Sequence, residues 1–315
     1  MRNFTKIAVV GSGTMGHGIA LTFAAYGYET TVIDVVDAAL VTAKKMVTSN
    51  VDVMLKSEFI SAEQADNVGK YLSYSTDYAA AADADLVIEA VPEDPKIKAS
   101  VFNSLDAVCR PDTVLASTTS AMNIYDVVNV SHPERVLIAH FNNPSHVIPL
   151  VEVVAGPETP QDLLDDIRAL LKSIGKSPAV LNKYVPGFIV NRLTAALLRE
   201  CSYLVDNGLA TPEDVDTAFM ANQGLKASFE GPLELMDYIG WDVAAGVGQL
   251  IYPTLCDDKQ PSPMAVKMLQ SGRLGIKTGK GLKDYSGKTR EELNAARTLN
   301  VLQILKTTKD ILSNK

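Results

Sequence analysis

The chain has 315 residues, 47% of them hydrophobic, a length that suggests about two domains and a composition that can bury large cores. Its 37 Asp and Glu against 29 Lys and Arg leave a formal net charge of −8, which argues against a nucleic-acid partner, because such proteins carry a basic excess or stripe. Cys109, Cys201 and Cys256 are odd in number and widely spaced, as expected of reduced thiols, and no Cys/His spacing suggests a metal. No apolar run approaches the roughly 20 residues of a membrane span. The N-terminus enters a strand almost at once, with no room for a signal peptide. A cytoplasmic protein is expected.

KIAVV, residues 6–10, is a short β-branched run that predicts a buried strand. GSGTMG follows, and HGIALTFAAYG has helical spacing with Gly27 as its stop. ETTVIDV predicts a second strand, with Asp34 near its end. Residues 37–72 read as helix-rich. ADLVIEAVPED (84–94), TVLASTTS (113–120), RVLIAHF (135–141) and PLVEVV (149–154) predict further strands. Strands alternating with helices imply a Rossmann-type, doubly wound parallel sheet of the α/β class.

Near residue 184 the pattern changes. YVPGFIVNRLTAALLRECSYLVDNG begins on a Pro-Gly break and runs as a long helix to Gly208. Thr211, Pro212 and the acids after them form a helix start. The tail from about residue 288 predicts an amphipathic helix with Leu293, Leu299, Leu302 and Leu305 among its apolar positions. The expected organisation is an α/β domain over 1–184 and an all-α domain over 185–315.

Gly11, Gly13 and Gly16 form G-x-G-x-x-G, with Thr14 and Met15 between the last two. Alone this pattern is weak. Here it follows a strand, opens a helix, and has Asp34 eighteen residues after its last glycine, at the end of the next strand. Gly11 allows the tight turn, Gly13 lets the backbone approach a pyrophosphate, and Gly16 lets helix and strand pack closely. The helix N-terminus offers free N–H groups to phosphates. Asp34 can accept from a ribose diol and would repel a 2′-phosphate, so NAD is expected over NADP.

AHFNNPSHVIPLVEVV, residues 139–154, poses a problem of burial. Glu152 sits in the middle of an apolar strand, twelve residues after His140. A buried carboxylate is costly unless paired or hydrogen-bonded. Either Glu152 points to solvent or it has a partner.

On these residues the chain resembles the L-3-hydroxyacyl-CoA dehydrogenase family, to about residue 286. GSGTMGHGIA is similar to its cofactor loop and DLVIEAVPEDPKIK to the strand-loop-helix after it. ASTTS, HFNNP…PLVEVV and PGFIVNRL resemble its catalytic segments, and GPLELMDYIGWD and GIKTGKG its helical domain. The resemblance implies His140 as general acid/base, Glu152 as the carboxylate that orients its ring, and Ser120 and Asn191 as contacts to the substrate oxygen. It implies cofactor-side roles for Glu93, Lys98, Asn143 and Lys277, and pairing of two chains through the helical domain. The bland alternatives are that Ser120 and Asn191 cap helices or bond backbone. His17 and His132 read as structural or exposed.

Three departures from the family pattern leave the substrate open. Asn142 replaces the second Phe of H-F-F-N-P and suggests a more polar pocket. Thr118 replaces an Asn. The segment after the second strand is thin in the lysines that meet CoA phosphates, with Lys44, Lys45 and Lys56 as its candidates. His146 has no family counterpart and reads equally as a loop residue or a substrate contact. A short 3-hydroxyacyl-CoA is the expected substrate, because it is the commonest in the family. The alternative is a free polar hydroxy acid or alcohol, as in the carnitine, gulonate and pyridine-carboxylate dehydrogenases of the superfamily, with Asn142, Asn143 and His146 near it. A third reading is a non-catalytic NAD-binding protein, against which the His140, Glu152 and Asn191 set argues.

Overall fold

The computed structural model describes residues 2–313, with side chains to residue 308. The chain divides into two compact units, one ending at Ile189 and the other beginning at Val190.

In the first unit, β1 (Lys6–Val10) leads to α1 (Gly16–Ala25) and β2 (Glu29–Ile33). A two-helix excursion follows, α2 (Asp37–Lys56) and α3 (Ala62–Tyr71), the latter opened by a Ser61–Gln64 capping box. Then come β3 (Leu72–Ser75), β4 (Leu86–Glu89), α4 (Pro95–Val108), β5 (Val114–Ser117) and β6 (Val136–Phe141). The unit closes with β7 (Leu150–Ala155), α5 (Gln161–Ser173) and β8 (Ser177–Leu181). Helix α4 starts where it does because Asp94 accepts from the N–H groups of Lys96 and Ile97 while Pro95 occupies its first turn.

The strands form one eight-stranded sheet in the order β3-β2-β1-β4-β5-β6-β7-β8. Strand order reverses between β1 and β4, the crevice where doubly wound sheets bind ligands. Every pairing is parallel except β6 with β7. The sheet is therefore mostly parallel, and the expected parallel series ends at β6. The eight residues between β6 and β7 are too few for a parallel crossover and return the chain antiparallel. The strands β3 and β8 are additions to the sequence reading.

Side-chain alternation sorts the core into two faces. Ile7, Val9, Leu137, Ala139 and Phe141 join α1 and α5 on one face. Ala8, Val10, Val136 and Ile138 join Val101, Phe102 and Leu105 of α4, together with Phe188, on the other. His140 and Glu152 follow the second alternation.

The second unit is helical: α6 (Val190–Asp206), α7 (Pro212–Phe219), α8 (Glu234–Ile239), α9 (Trp241–Ile251), α10 (Pro263–Gln270) and α11 (Arg290–Ser313). Thr211 caps α7 as expected, accepting from Asp214 N–H at 3.1 Å. In α11, Leu302 is buried and Leu293 and Leu305 are half-buried, but Leu299 faces out. No helix among the described residues is long and apolar enough to cross a membrane.

Candidate active site

The glycine loop leaves the carboxyl end of β1 at the point of reversal. Gly11 has φ +97, and a Cβ there would stand 2.6 Å from the Ala90 carbonyl oxygen beyond β4. A Cβ on Gly16 would stand 1.7 Å from the Gly11 carbonyl oxygen, so only glycine lets α1 start this close to the loop. A Cβ on Gly13 would meet nothing within 4 Å. The space over Gly13 is thus open to a group from outside, as a pyrophosphate requires. Asp34 Oδ2 accepts from Ser12 N–H at 2.9 Å and Ser12 Oγ at 2.7 Å, which ties this carboxylate to the same loop. These residues fit a dinucleotide.

At the carboxyl end of β6 the antiparallel register sets His140 directly opposite Glu152. The ring Nδ1 lies 2.9 Å from Glu152 Oε2. Glu152 has no exposed surface and His140 keeps 6%. The other carboxylate oxygen accepts from Ile189 N–H at 2.7 Å. Phe188, just before it, is held at φ 51, unusual for a bulky side chain, with its ring centroid 5.4 Å from that of His140. The Glu152 burial problem is solved by a partner, through register rather than a local motif.

A second buried carboxylate, Glu89, ends β4 on the same face. It receives Lys98 Nζ at 2.8 and 3.0 Å, Ser117 Oγ at 2.6 Å and Val91 N–H at 2.8 Å. Lys98, on α4, is 1% exposed and also reaches Glu93 at 3.1 Å. Glu93 in turn accepts from the Thr119 hydroxyl and, at 3.0 Å, from Ser120 N–H. Burial alone would raise the Glu93 carboxyl; the Thr119 hydrogen bond and the Lys98 charge outweigh it and hold the group below its ordinary range. Glu93, Lys98 and Ser120 thus belong to one connected network at the ends of β4 and β5. The sequence reading missed Glu89, Ser117 and Thr119. Glu89 gave the same signal as Glu152, an acid inside an apolar strand.

Other expected residues are scattered. Asn191 is in the first turn of α6 and Lys277 is exposed in the Gly275–Lys280 turn, both in the second unit. Lys44, Lys45 and Lys56 are exposed on α2, the last about 18 Å along the axis from the first at 1.5 Å per residue. The Lys44 amine lies over the Tyr74 ring at 4.8 Å. They do not gather into one cationic site. Asn142 is half-buried with its amide nitrogen unpaired, and Asn143 is exposed. His146 packs near His17 of α1, ring centroids 6.2 Å apart, on the α1 side of the sheet rather than the face that holds His140. Burial, with the charges of His17 and Lys176, pushes the His146 ring down to about 4. His17 itself is buried, with Nδ1 2.6 Å from the Gly13 carbonyl. Among the described residues no three His, Cys, Asp or Glu side chains are placed to hold a metal ion.

A glycine loop at the reversal point of a doubly wound sheet, with Asp34 tied to it, defines a dinucleotide-binding enzyme of the Rossmann type. The family model of the 3-hydroxyacyl-CoA dehydrogenase NAD binding domain matches residues 6–184, and that of the 3-hydroxyacyl-CoA dehydrogenase C-terminal domain matches residues 187–285. The chain belongs to the 3-hydroxyacyl-CoA dehydrogenase family and is an NAD-dependent oxidoreductase acting on a small molecule. It is 37% identical to 5-formyl-3-hydroxy-2-methylpyridine 4-carboxylate 5-dehydrogenase of Mesorhizobium japonicum, over 95% of this chain and 96% of the relative. It is 35% identical to 3-hydroxybutyryl-CoA dehydrogenase of Clostridioides difficile, over 89% of this chain and 99% of the relative. Among solved structures it resembles a 5-formyl-3-hydroxy-2-methylpyridine 4-carboxylic acid 5-dehydrogenase described as an NAD+ dependent dismutase, with TM-score 0.88, 33% identity, and coverage of 98% and 99% of the two chains.

Proposed function

We propose that the protein oxidises or reduces an alcohol or aldehyde carbon on a small free carboxylic acid, with His140 as the acid/base group. The observation that carries the chemistry is the buried His140–Glu152 pair. Bound NAD supplies the hydride acceptor. With Nδ1 taken by Glu152, His140 presents Nε2 to the substrate hydroxyl and receives its proton in the oxidising direction. Glu152 sets the ring's tautomer and stabilises the imidazolium that forms. Ser120, Asn143 and Asn191 are the proposed contacts to the substrate oxygen and cofactor, Lys277 a cofactor-side contact, and the Lys98–Glu89–Glu93 network holds the Ser120 loop in place.

Two observations support the free acid. The candidate phosphate lysines on α2 do not converge, and the similarity to the pyridine-carboxylate enzyme spans nearly both whole chains. Asn142, with its unpaired amide, is the proposed polar contact. His146 is left out of the substrate site because it faces α1. The second reading, a short 3-hydroxyacyl-CoA, is favoured by the family itself and by the C. difficile relative. Incubating the enzyme with NADH and, separately, acetoacetyl-CoA and a panel of aldehyde- or keto-bearing carboxylic acids, ring acids included, distinguishes them. Free acids are expected to oxidise NADH the faster. Faster turnover of acetoacetyl-CoA, with a KM that rises when Lys44, Lys45 or Lys56 is neutralised, overturns the free-acid reading.

The protein is further proposed to work as a cytoplasmic homodimer. The helical unit leaves Leu193, Leu198, Leu233, Trp241 and Leu250 exposed, an apolar surface that a second copy would cover. Sedimentation at micromolar concentration tests this; a monomer there overturns it.

A further inference from the structure

Lys176 lies between α5 and β8 and plays no part in the chemistry proposed above. Its side chain is 6% exposed, yet among the described residues no carboxylate is paired with it. The amine instead donates to two backbone carbonyls of the loop joining β6 to β7, Ser145 O at 2.6 Å and Ile148 O at 2.9 Å. That loop begins directly after His140 and Phe141 and carries Asn142 and Asn143. Its other side is seated on the cofactor loop. Ser145 Oγ donates to the Met15 carbonyl at 2.9 Å. The fit there is close enough that a Cβ on Gly18 would stand 2.4 Å from Ser145 Oγ and 2.9 Å from His146 Nδ1. Next to this contact, His17 Nδ1 donates to the Gly13 carbonyl, the point where the loop is open to the pyrophosphate.

These contacts form one continuous path: Lys176, the Ser145–Ile148 loop, Met15 in the glycine loop, and the first turn of α1. A buried ammonium without a counter-charge is costly, and burial pushes this amine down to about 7. A hydrophobic side chain would fill the position at lower cost, so a role other than packing is indicated. We propose that Lys176 is a positioning residue that clamps the β6–β7 loop against the glycine-rich loop, and so couples the seat of the dinucleotide to the strand that delivers His140. The inference rests on NAD-dependent activity and not on which substrate is used.

The test reads cofactor binding directly. NADH affinity is measured by fluorescence titration of the full chain for Lys176→Met, Lys176→Arg, Ser145→Ala and Lys176→Met/Ser145→Ala, with circular dichroism and thermal unfolding to establish the fold. Lys176→Met is expected to weaken NADH binding roughly 10-fold, the size of one lost charged hydrogen bond, and Ser145→Ala to weaken it about 3-fold. Lys176→Arg, which keeps a charged donor, is expected to recover part of the loss. Because both changes break one path, the double variant is expected to lose less than the product of the two single losses. NADH affinity within 2-fold of the native protein in a folded Lys176→Met variant overturns the clamp. So do losses that multiply in the double variant. Should Lys176→Met fail to fold, Ser145→Ala decides, and unchanged affinity there overturns the proposal.

Discussion

Glu89 and Glu152 lie on the same face of one sheet, each in an apolar strand and each with no exposed surface, but they are stabilised differently. Glu89 meets an ammonium at 2.8 and 3.0 Å, a serine hydroxyl and a backbone N–H. Its partner Lys98 is also shared with Glu93. Glu152 meets an imidazole across an antiparallel register and the N–H of Ile189. An ammonium shared by two carboxylates ties together the segments that carry them, which suits it to holding loops in place. An imidazole is the side chain whose proton moves near neutrality. On the function proposed above, the two carboxylates separate scaffold from chemistry on one face of the sheet, Glu89 on β4 and Glu152 on β7, and breaking each pair should damage a different property.

The largest expected effect is on turnover. His140→Gln or Glu152→Gln is expected to lower kcat roughly 10²- to 10⁴-fold, the usual contribution of a general acid/base group, while NADH affinity measured by fluorescence stays within about 2-fold. Near-native kcat in either variant removes the pair from the chemistry. The Lys98 pair should respond in the opposite way. Lys98→Met leaves Glu89 buried without its counter-charge, and the expected loss is roughly 3–5 kcal/mol of unfolding free energy in urea. A loss under about 1 kcal/mol would mean that Ser117 and Val91 suffice for Glu89, and the contrast between the two sites would collapse.

The contrast was half legible in the sequence. The glycine loop could be read because turn, helix start and Asp34 stand at fixed offsets along the chain. His140 and Glu152 could be singled out because an acid inside LVEVV is anomalous. Their meeting depends on the antiparallel return of β7, and hydrophobic periodicity carries no strand direction. Glu89 stands in LVIE with the same anomaly, and its partner Lys98 was read only as a cofactor contact. The strand β3 escaped because LSYS is short, half-polar and follows a helix without a break; β8 because Pro178 sits inside it, tolerable there because β8 is an edge strand. In the helical unit the composition announced helices but not their packing, and α6 buries none of its residues.

Asp34 offers a third kind of carboxylate, half-buried and hydrogen-bonded among the described residues to neutral donors, Ser12 and the Val36 N–H. With no cation beside it in these contacts, a 2′-phosphate would face a like charge. Comparing kcat/KM for the two oxidised cofactors is expected to favour NAD over NADP by roughly 100-fold, since like-charge juxtaposition costs several kcal/mol before any rearrangement. Equal use of both would show that Asp34 turns away from the ribose when the dinucleotide binds.

The smallest effect sharpens the comparison from the side of the bases. Where Lys98 and His140 are buried beside carboxylates, His146 is half-buried beside other bases, and its surroundings favour the neutral ring. Burial first, then the charges of His17 and Lys176, lowers the ring from its ordinary 6.5 to about 4. Above pH 6.5 the ring is neutral in the folded and unfolded chain alike, and its contribution to stability is complete. Between pH 6.5 and 4 the unfolded chain holds the extra proton, so the folded state loses stability as the pH falls; below 4 both states are protonated and no further loss comes from this group. The loss over that window is on the order of 2 kcal/mol, allowing about a unit of uncertainty in the shift. His146→Gln removes the titration, so the difference in unfolding free energy between pH 7 and pH 4.5 is expected to shrink by about that amount relative to the native protein. Parallel stability curves for the two proteins across this range would show that His146 opens to water before it takes a proton, and the loop from β6 to β7 would then be looser than its contacts with α1 imply.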